Sequence, residues 1–443
     1  MKIQLSDHFT YKKLLRFTIP SIAMMIFTSI YGVVDGFFVS NFAGKVAFTA
    51  INFIMPYLMI LGTLGFMLGA GGSAIVAKTM GEGKRGLANE YFSLIVYTTV
   101  VVGAMLSIVG ILLLKPIAIW LGAEGEMLEL AVLYGRIILI ALPAFMLQME
   151  FQTFFITSEK PSLGFLTTAI SGVMNMLLDA LLVGIIPLGL VGAATATAIS
   201  QAIGGIIPIV YFARKNSSIL KLGKTKLYLR ALGKACANGS SELMSNVSMS
   251  LVAMLYNVQL LDYAGEDGIA AYGVMMYVNM IFLAAFIGYA IGTAPIISFH
   301  FGASNKSELQ SLLRKSVVIT GGFAALMLSA SLILATPLSK IFVSYDEALL
   351  SLTVGGFRIF SLSFLFAGFA IFASSFFTAL NDGITSAIIS FLRTLVFQVA
   401  AVLLLPLVLD IDGIWWSIVA AELMAVAISA IFILLKRKRY GYL

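Results

Sequence analysis

Long uncharged apolar runs recur along the whole of this chain, and they restrict its fold more than any other feature. A helix needs about 20 apolar residues to cross the ~30 Å hydrocarbon core of a membrane. Runs of that length fill most of the 443 residues, of which 60% are hydrophobic and only 11% are charged. A water-soluble protein of this size cannot bury so much apolar surface. The sequence therefore predicts an all-α integral membrane protein.

The apolar runs divide into twelve predicted transmembrane helices, separated by loops that hold most of the charged residues. The fifth and sixth runs share one uncharged stretch, which Pro187-Leu-Gly189 divides. The predicted spans lie near residues 16–40, 46–77, 91–114, 130–156, 162–186, 189–212, 235–261, 269–298, 316–336, 349–378, 384–409 and 413–435.

Lysine and arginine are distributed unequally between the two sides of this topology. If the N-terminus is cytoplasmic, nearly all loop lysines and arginines are cytoplasmic as well. Only three fall on the outer side: Lys45, Lys115 and Lys340. Because basic loops stay in the cytoplasm, the sequence predicts an inner (cytoplasmic) membrane protein with both termini cytoplasmic. The three tryptophans then form an aromatic belt at the outer interface: Trp120, Trp415 and Trp416.

The longest polar stretch follows the sixth predicted span and divides the chain into two lobes of six helices each. We predict an N-terminal lobe at 1–213, a basic cytoplasmic linker at 214–234 and a C-terminal lobe at 235–443. The lobes resemble repeats, because one constant offset along the chain aligns Gly81 with Gly302 and Gly192 with Gly413. Parallel repeats of this kind place substrate between or within pseudo-symmetric lobes. The alternative is a twelve-helix bundle with coincidental loop glycines.

Motifs for catalysis, ATP hydrolysis and metal binding are incomplete. Gly223-Lys-Thr resembles the end of a P-loop, but Ser218 stands where the first glycine of that motif belongs. The two histidines, His8 and His300, have no acid or cysteine cluster at metal-ligand spacing. We therefore expect no enzyme, no cofactor and no metal site, and an ion gradient as the energy source. The net charge of +7 follows from the basic cytoplasmic loops, so we expect no nucleic-acid partner.

Two aspartates interrupt apolar spans, Asp35 in the first and Asp179 in the fifth. A carboxylate in the bilayer core costs ~2.5–3.5 kcal/mol on insertion scales, so it usually faces a cavity and has a function. The separation along the chain from Arg16 to Asp35 equals that from Lys160 to Asp179. Because both spans run outward, the two aspartates are expected at the same depth.

Further polar residues share this layer and the helix faces of the two aspartates. Helical spacing of four residues places Tyr31 near Asp35, Asn175 near Asp179, and Gln201 after Thr197 of the sixth span. Two neighbouring carboxylates cannot both stay ionised in low dielectric, so the pair could hold a proton, and hard oxygens could instead coordinate Na⁺. Alternatively, each acid is bonded separately to backbone or arginine. We predict a cation site for H⁺ or Na⁺ formed by Asp35, Asn175, Asp179 and Thr197, with Tyr31 and Gln201 nearby.

The remaining intramembrane polar residues are candidate substrate or secondary polar contacts: Gln148, Glu150, Glu242, Asn246 and Glu422. Glu150 lies near the inner end of the fourth span and is expected to reach water. Glu242 and Glu422 are open to two interpretations, substrate contact or structural pairing. Five intramembrane acids against three arginines (Arg136, Arg358 and Arg393) leave the interior anionic, which favours a cationic cargo.

At these residues the chain resembles the multidrug and toxic compound extrusion (MATE) family, and within it the MepA-like branch. The resemblance covers the whole chain, and its motifs are matched in order and spacing. The matching stretches include Ile19-Pro20, Tyr31-Gly-Val-Val-Asp35, Asn175-Met-Leu-Leu-Asp179, Val191-Gly-Ala-Ala-Thr-Ala-Thr197 and Ser417-Ile-Val-Ala-Ala-Glu422.

The resemblance implies cation-coupled drug efflux. We expect a monomer embedded in the lipid bilayer, with small drug-like organic molecules as its partners. The resemblance also implies that Pro20 is the point at which the first helix bends. Some members use a second acid pair on the seventh and tenth helices; Glu242 fills the first place, and the tenth span has no carboxylate. The implied cation site consists of Asp35, Asn175, Asp179 and Thr197, with Tyr31 close by.

The expected function is export of amphipathic, cationic organic compounds by antiport with H⁺ or Na⁺. A flippase for lipid-linked precursors, with a similar fold, is the alternative. It would be favoured by a cationic cavity between the lobes and by additional helices. A channel would require a continuous polar stripe through the membrane, whereas these polar residues cluster at one depth.

Overall fold

A computed structural model describes residues 3–344 and 346–443 of the chain, without the side chains of Lys45 and Glu266. Lys45, predicted on the outer side, therefore has its side chain outside the described residues. In this part of the chain the elements are helical. The first half contains helix 1 (Tyr11–Phe38, continued by a π-helical turn, Val39–Ala43), helix 2 (Lys45–Gly81), helix 3 (Arg85–Trp120), helix 4 (Gly125–Thr157), helix 5 (Pro161–Asp179, continued by a π-helical turn, Ala180–Ile185) and helix 6 (Gly189–Ala213). The second half contains helix 7 (229–264), helix 8 (266–302), helix 9 (Lys306–Val343), helix 10 (Glu347–Ser361 and Phe364–Ala379), helix 11 (Gly383–Phe391, Leu392–Val396 and Phe397–Leu404) and helix 12 (Pro406–Tyr440).

Several helices are interrupted in ways that the hydropathy pattern does not show. Helices 7 and 8 meet at Gly265 without a loop, because this glycine adopts φ +63°. Helix 10 bends by 46° between its two parts. Helix 12 contains a kink at Asp410, where φ is +50°. Helix 7 begins at Leu229, inside the stretch predicted as linker, so the polar connection is shorter than expected.

Helix 7 is the most polar of the helices that cross the bundle. Among the described residues, ten helices are long and apolar enough to span a membrane, and the bent helix 10 makes an eleventh. Helix 7 completes the twelve, although its first half carries Glu242, Asn246 and several serines. Polar side chains in such a helix are tolerated where they face a cavity inside the bundle.

The end of the bundle that carries both chain termini is closed by glycine contacts between helices 2 and 8. A Cβ atom on Gly81 would lie 2.0 Å from the carbonyl oxygen of Phe299. A Cβ atom on Gly302 would lie 2.0 Å from the carbonyl oxygen of Lys78. These two contacts are related by the offset between the predicted repeats. The backbones of the two helices therefore touch directly, as small residues allow in membrane proteins.

The N-terminal segment before helix 1 crosses the same end of the bundle. The backbone N–H of Leu5 donates to Glu159 Oε1 at 2.9 Å, and that of Phe9 donates to Glu308 Oε1 at 2.9 Å. Leu5 and Phe9 are fully buried. Because Glu159 follows helix 4 and Glu308 belongs to helix 9, this segment connects the two halves of the chain.

The predicted aromatic belt is only partly present. The side chain of Trp120 is 83% exposed, as expected for a ring at the membrane interface. Trp415 is instead fully buried, with its ring beside Gly356. Trp415 therefore does not present its ring to the membrane as a belt residue would, because the turn that carries it, after the kink at Asp410, packs inside the bundle.

Candidate functional site

Helices 1 and 5 approach each other closely because Gly172 has no side chain. A Cβ atom on Gly172 would lie 2.6 Å from Phe27 Cε1 and 2.8 Å from Tyr31 Cδ1. This contact lies two turns below Asp179 on helix 5 and one turn below Asp35 on helix 1. It allows the two aspartates to face each other across a narrow gap.

The structure brings Asp35, Asn175, Asp179 and Thr197 together in one cluster. Asp35 is a neighbour of the other three, and the hydroxyl of Thr197 donates to Asp35 Oδ1 over a long distance of 3.5 Å. Asp179 is fully buried with its side chain against that of Asp35, and within the described residues its carboxylate oxygens have no further hydrogen-bond partner. The side chain of Asn175 lies beside Asp35, where its amide nitrogen faces a carboxylate acceptor and its carbonyl oxygen is the atom that can ligate a cation. Buried polar atoms are normally satisfied, so this cluster is suited to a small cation.

The two aspartates have no basic partner among the described side chains, whose ion pairs all lie elsewhere. The alternative in which each acid is paired with an arginine therefore does not apply to Asp35 or Asp179. Two uncompensated carboxylates side by side in low dielectric are costly until a proton or a metal cation neutralises charge there. The arrangement is therefore chemically suited to a proton or a small metal cation.

A π-helical turn follows each of the two aspartates. Val39–Ala43 follows the turn of Asp35, and Ala180–Ile185 begins directly after Asp179. The third π-helical turn, Leu392–Val396, contains Arg393. Such turns are rare and frequently occur at functional sites, because they redirect side chains and release backbone groups. The amino-acid pattern alone did not indicate them.

Two further predicted polar residues are Gln148, a candidate substrate contact, and Gln201, which was predicted near the cation site. Gln148 lies beside Tyr31, and its Nε2 donates to Ser171 Oγ at 3.2 Å. Gln201 follows Thr197 by one turn, and its Oε1 is buried without a partner. Ser171 Oγ donates to the carbonyl oxygen of Ser200 at 2.6 Å and so joins helices 5 and 6 behind the site.

Tyr134 is a site residue that the sequence did not reveal. It belongs to helix 4, is 2% exposed, and lies within electrostatic reach of both Asp35 and Asp179. A tyrosine at the outer end of an apolar span is ordinary, so only its three-dimensional position identifies it. Pro20, the predicted hinge, lies inside helix 1, which continues through it without a break.

Glu150 is placed differently from the expectation. It is fully buried, with Thr99 of helix 3 as the neighbouring polar side chain of its carboxylate within the described residues. Its backbone packs against Gly69 of helix 2, whose missing Cβ atom would lie 2.9 Å from Glu150 Cα. The prediction that Glu150 reaches water is therefore wrong, because helix 2 covers it. It does not line the large cavity described next, so it has no position there as a substrate contact.

A cavity of about 290 Å³ lies in the C-terminal half, between helices 7, 8, 10, 11 and 12. Glu242, Asn246 and Glu422 all line it, as does Arg393. Arg393 Nε donates to both carboxylate oxygens of Glu422, at 2.9 and 3.1 Å. Of the two interpretations of Glu422, structural pairing is therefore the one seen. The amide nitrogen of Asn246 donates to the backbone carbonyl of Glu242 at 2.8 Å, which leaves the Glu242 carboxylate free of this residue.

Comparison with known proteins gives a consistent result over the full length. The sequence model of the MatE family matches residues 20–181 and 243–403. The multidrug export protein MepA of Staphylococcus haemolyticus strain JCSC1435 is 24% identical over 427 residues, covering 96% of this chain and 93% of the relative. MepA of Staphylococcus aureus strain MRSA252 is 23% identical over 433 residues, covering 97% and 94%.

Solved structures share the fold. A MATE protein in complex with MaL6 superposes with a TM-score of 0.93 at 20% identity, covering 98% of both chains. An outward-facing multidrug resistance MATE family transporter superposes with a TM-score of 0.92 at 21% identity, again covering 98% of both. The predicted fold, an all-α integral membrane protein of twelve helices in two six-helix lobes, is therefore confirmed.

The two segments matched by the family sequence model make up well over half of the chain and include both predicted aspartates. MatE proteins are multi-pass membrane transporters, so the prediction that this chain is not an enzyme is confirmed by its family. The family resemblance drawn from the motifs around Asp35, Asp179 and Glu422 is confirmed as well: this chain belongs to the MatE family.

Proposed function

We propose that this protein exports amphipathic, cationic organic compounds by antiport with H⁺ or Na⁺. The observation that carries the proposal is the Asp35–Asp179 pair, two adjacent intramembrane carboxylates without a basic partner in the described part of the chain. Such a pair must gain and lose a cation if its charge is to vary during a transport cycle. The relatives at 22–24% identity that are named multidrug export proteins support the same function.

We assign Asp35, Asn175, Asp179 and Thr197 as the ligands of the coupling ion, with Tyr31, Gln201 and Tyr134 around them. The N-terminal lobe is residues 1–213, and the C-terminal lobe begins with helix 7 at Leu229. A cytoplasmic linker joins them, in a monomer in the inner membrane with both termini inside. With this orientation the end closed between helices 2 and 8 is cytoplasmic, and we infer that the described conformation is outward-facing. The likeness to an outward-facing transporter supports this assignment.

In the proposed cycle, the ion enters from outside and neutralises the aspartate pair. The gap between helices 1 and 5 then contracts, helix 1 bends at Pro20, and the drug's affinity falls, so that drug leaves outward. The loaded protein reopens inward and releases the ion. Ion and drug are coupled because each favours a different conformation, and differential affinity is the only means by which a ligand can shift such an equilibrium.

The flippase alternative is not favoured. An anionic lipid-linked precursor would require a cationic cavity. The cavity in the C-terminal half carries two carboxylates and a single guanidinium among its lining residues, so its charge has the wrong sign for such a substrate. The site therefore supports a cationic cargo better than a phosphorylated lipid.

Transport in inside-out vesicles tests the proposal and identifies the ion. We expect vesicles that contain the protein to accumulate ethidium when a gradient directed out of the vesicle, of H⁺ or of Na⁺, is imposed. Collapse of that one gradient with a protonophore or a Na⁺ ionophore should stop accumulation. Ion antiport would be excluded if neither gradient moved ethidium faster than in protein-free vesicles and added ATP drove its accumulation instead.

The close approach at Gly172 gives a prediction about how the ion site is built. Gly172→Ala should lower the rate of gradient-driven efflux, because the new methyl group pushes helix 1 away from helix 5. We expect a loss of at least about fivefold, the smallest effect usually found for coupling between two sites. Gly184→Ala on the same helix 5 segment is the control, since its nearest neighbour lies 3.9 Å away. Equal transport by the two variants at matched expression would show that helix spacing does not determine coupling.

A further inference from the structure

We propose that the end of the linker and the first turn of helix 7 (221–230, the linker segment) bind anionic phospholipid at the membrane surface. In this proposal Leu227 and Leu229 enter the acyl region, and the basic residues beside them hold the headgroups. The proposal does not depend on the transported compound or on the coupling ion. It follows from the packing of the linker segment on helix 3, from two exposed leucines, and from four basic side chains without an acidic partner.

The linker segment lies along the first turns of helix 3. The backbone N–H of Lys221 donates to Asn89 Oδ1 at 2.7 Å, and that of Gly223 donates to Ser93 Oγ at 3.0 Å. The hydroxyl of Tyr97 donates to the carbonyl oxygen of Gly223 at 3.1 Å. Asn89, Ser93 and Tyr97 follow one another at one-turn intervals, and the predicted span of helix 3 begins near residue 91. The linker segment therefore lies level with the start of this span, where the surface of the membrane is expected.

Two leucines of the linker segment face away from the bundle. Tyr228, which separates them, points inward, and its hydroxyl donates to Glu90 Oε2 at 2.5 Å. The hydroxyl of Thr225 donates to the carbonyl oxygen of the same glutamate at 2.8 Å. Leu227 is 71% exposed and Leu229 is 70% exposed. At the membrane surface, aliphatic side chains that face outward are stabilised by entering the acyl region.

The basic side chains of the linker segment have no acidic partner. All four are exposed, and the ion pairs among the described residues involve other groups; the four are Lys221, Lys224, Lys226 and Arg230. Glu90, the carboxylate bonded to this segment, already accepts from Tyr228. Basic residues at a membrane surface attract anionic lipids, each with a gain in affinity of about fivefold. Exposed leucines among unpaired basic residues thus match a membrane of anionic phospholipid in both apolar surface and charge.

Quenching by spin-labelled lipids tests the proposal on the purified full-length protein in nanodiscs of phosphatidylcholine. Cys236→Ser removes the natural cysteine, and Leu227→Cys then carries an NBD fluorophore. The quencher is a nitroxide high on one acyl chain of either phosphatidylglycerol, which is anionic, or phosphatidylcholine, which is zwitterionic. We expect half-maximal quenching at a mole fraction of the anionic lipid about tenfold or more below that of the zwitterionic lipid. Leu229→Cys, labelled in the same way, should show the same preference.

Charge substitutions separate headgroup binding from general contact with lipid. Lys224→Gln combined with Lys226→Gln should lower the preference for phosphatidylglycerol by about tenfold or more. Arg437→Gln combined with Lys438→Gln is the matched control, because these exposed basic residues lie at the end of helix 12. It should leave the preference unchanged. A label at Leu112→Cys, where helix 3 has an exposed leucine within its apolar span, should be quenched equally by both lipids.

Three results would each overturn the proposal. Quenching of the label at Leu227→Cys by neither lipid would place the linker segment in water. Equal quenching by the two lipids would show that the segment contacts the membrane without binding anionic headgroups. An unchanged preference after Lys224→Gln combined with Lys226→Gln, or an equal loss in the control at the end of helix 12, would assign the preference to charge outside the linker segment.

Discussion

Asp179→Asn is expected to abolish gradient-driven efflux while leaving the protein folded and abundant. The substitution keeps the size of the side chain and removes a carboxylate that is fully buried beside Asp35, with no basic partner within the described residues. Removing an uncompensated buried charge should not destabilise the fold. It should, however, remove the group whose neutralisation drives the conformational change. We expect the efflux rate in proteoliposomes under an imposed gradient to fall at least about a hundredfold. This factor lies in the upper range of the coupling factors found between two binding sites.

The same chemical change at an exposed position provides the control for this prediction. Asp262→Asn should transport at the wild-type rate, because its carboxylate is exposed and belongs to neither the ion site nor the cavity. Asp35→Asn should behave like Asp179→Asn, since the two carboxylates form one site. Efflux at an unchanged rate in both site variants would remove the aspartate pair from the mechanism.

Glu422→Gln is expected to destabilise the protein by about 2–3 kcal/mol. The substitution leaves the Arg393 guanidinium without the carboxylate that it contacts at 2.9 and 3.1 Å. Breaking a fully buried ion pair costs about 3–5 kcal/mol, and the open cavity beside this pair lowers the figure by partial solvation. The free energy of unfolding can be measured by denaturant titration in mixed micelles.

A second substitution separates the loss of the ion pair from a general packing defect. The double variant Arg393→Met with Glu422→Gln should recover most of the lost stability, because no unpaired charge remains. Glu129→Gln, at an exposed position on helix 4, should have little effect on unfolding. If the double variant were less stable than Glu422→Gln alone, the unpaired guanidinium would not be the cause of the loss.

The membrane fold was predictable because the bilayer imposes simple rules on a chain. Span length, the distribution of basic residues and the rarity of intramembrane acids are all linear properties of the sequence. Counting along the chain from Arg16 to Asp35 and from Lys160 to Asp179 was sufficient to expect one depth for the two aspartates. The family motifs around them indicate the same predicted cation site, formed by Asp35, Asn175, Asp179 and Thr197.

Other features depend on how helices pack and were outside the reach of periodicity. The pairing of Arg393 with Glu422 joins helices 11 and 12, and nothing in either segment specifies its partner. Tyr134 faces the ion site only because helix 4 packs against helices 5 and 6, which carry Asp179 and Thr197. Glu150 was expected in water because its distance from the helix end was counted along helix 4 alone, without the covering helix 2. A lone arginine in the apolar run around residue 393 was nevertheless a signal that a buried acid must lie nearby.

Ion movement driven by a drug gradient is the most direct test of the central claim that the aspartate pair couples cation and drug. Proteoliposomes loaded with ethidium and diluted into drug-free medium should show ion movement into the vesicles, recorded with an internal pH dye or as ²²Na⁺ uptake. Wild-type protein should show this counter-movement for one of the two ions, and Asp179→Asn should show none. Counter-movement of equal rate in wild type and Asp179→Asn, or ethidium exit without movement of either ion, would contradict the account.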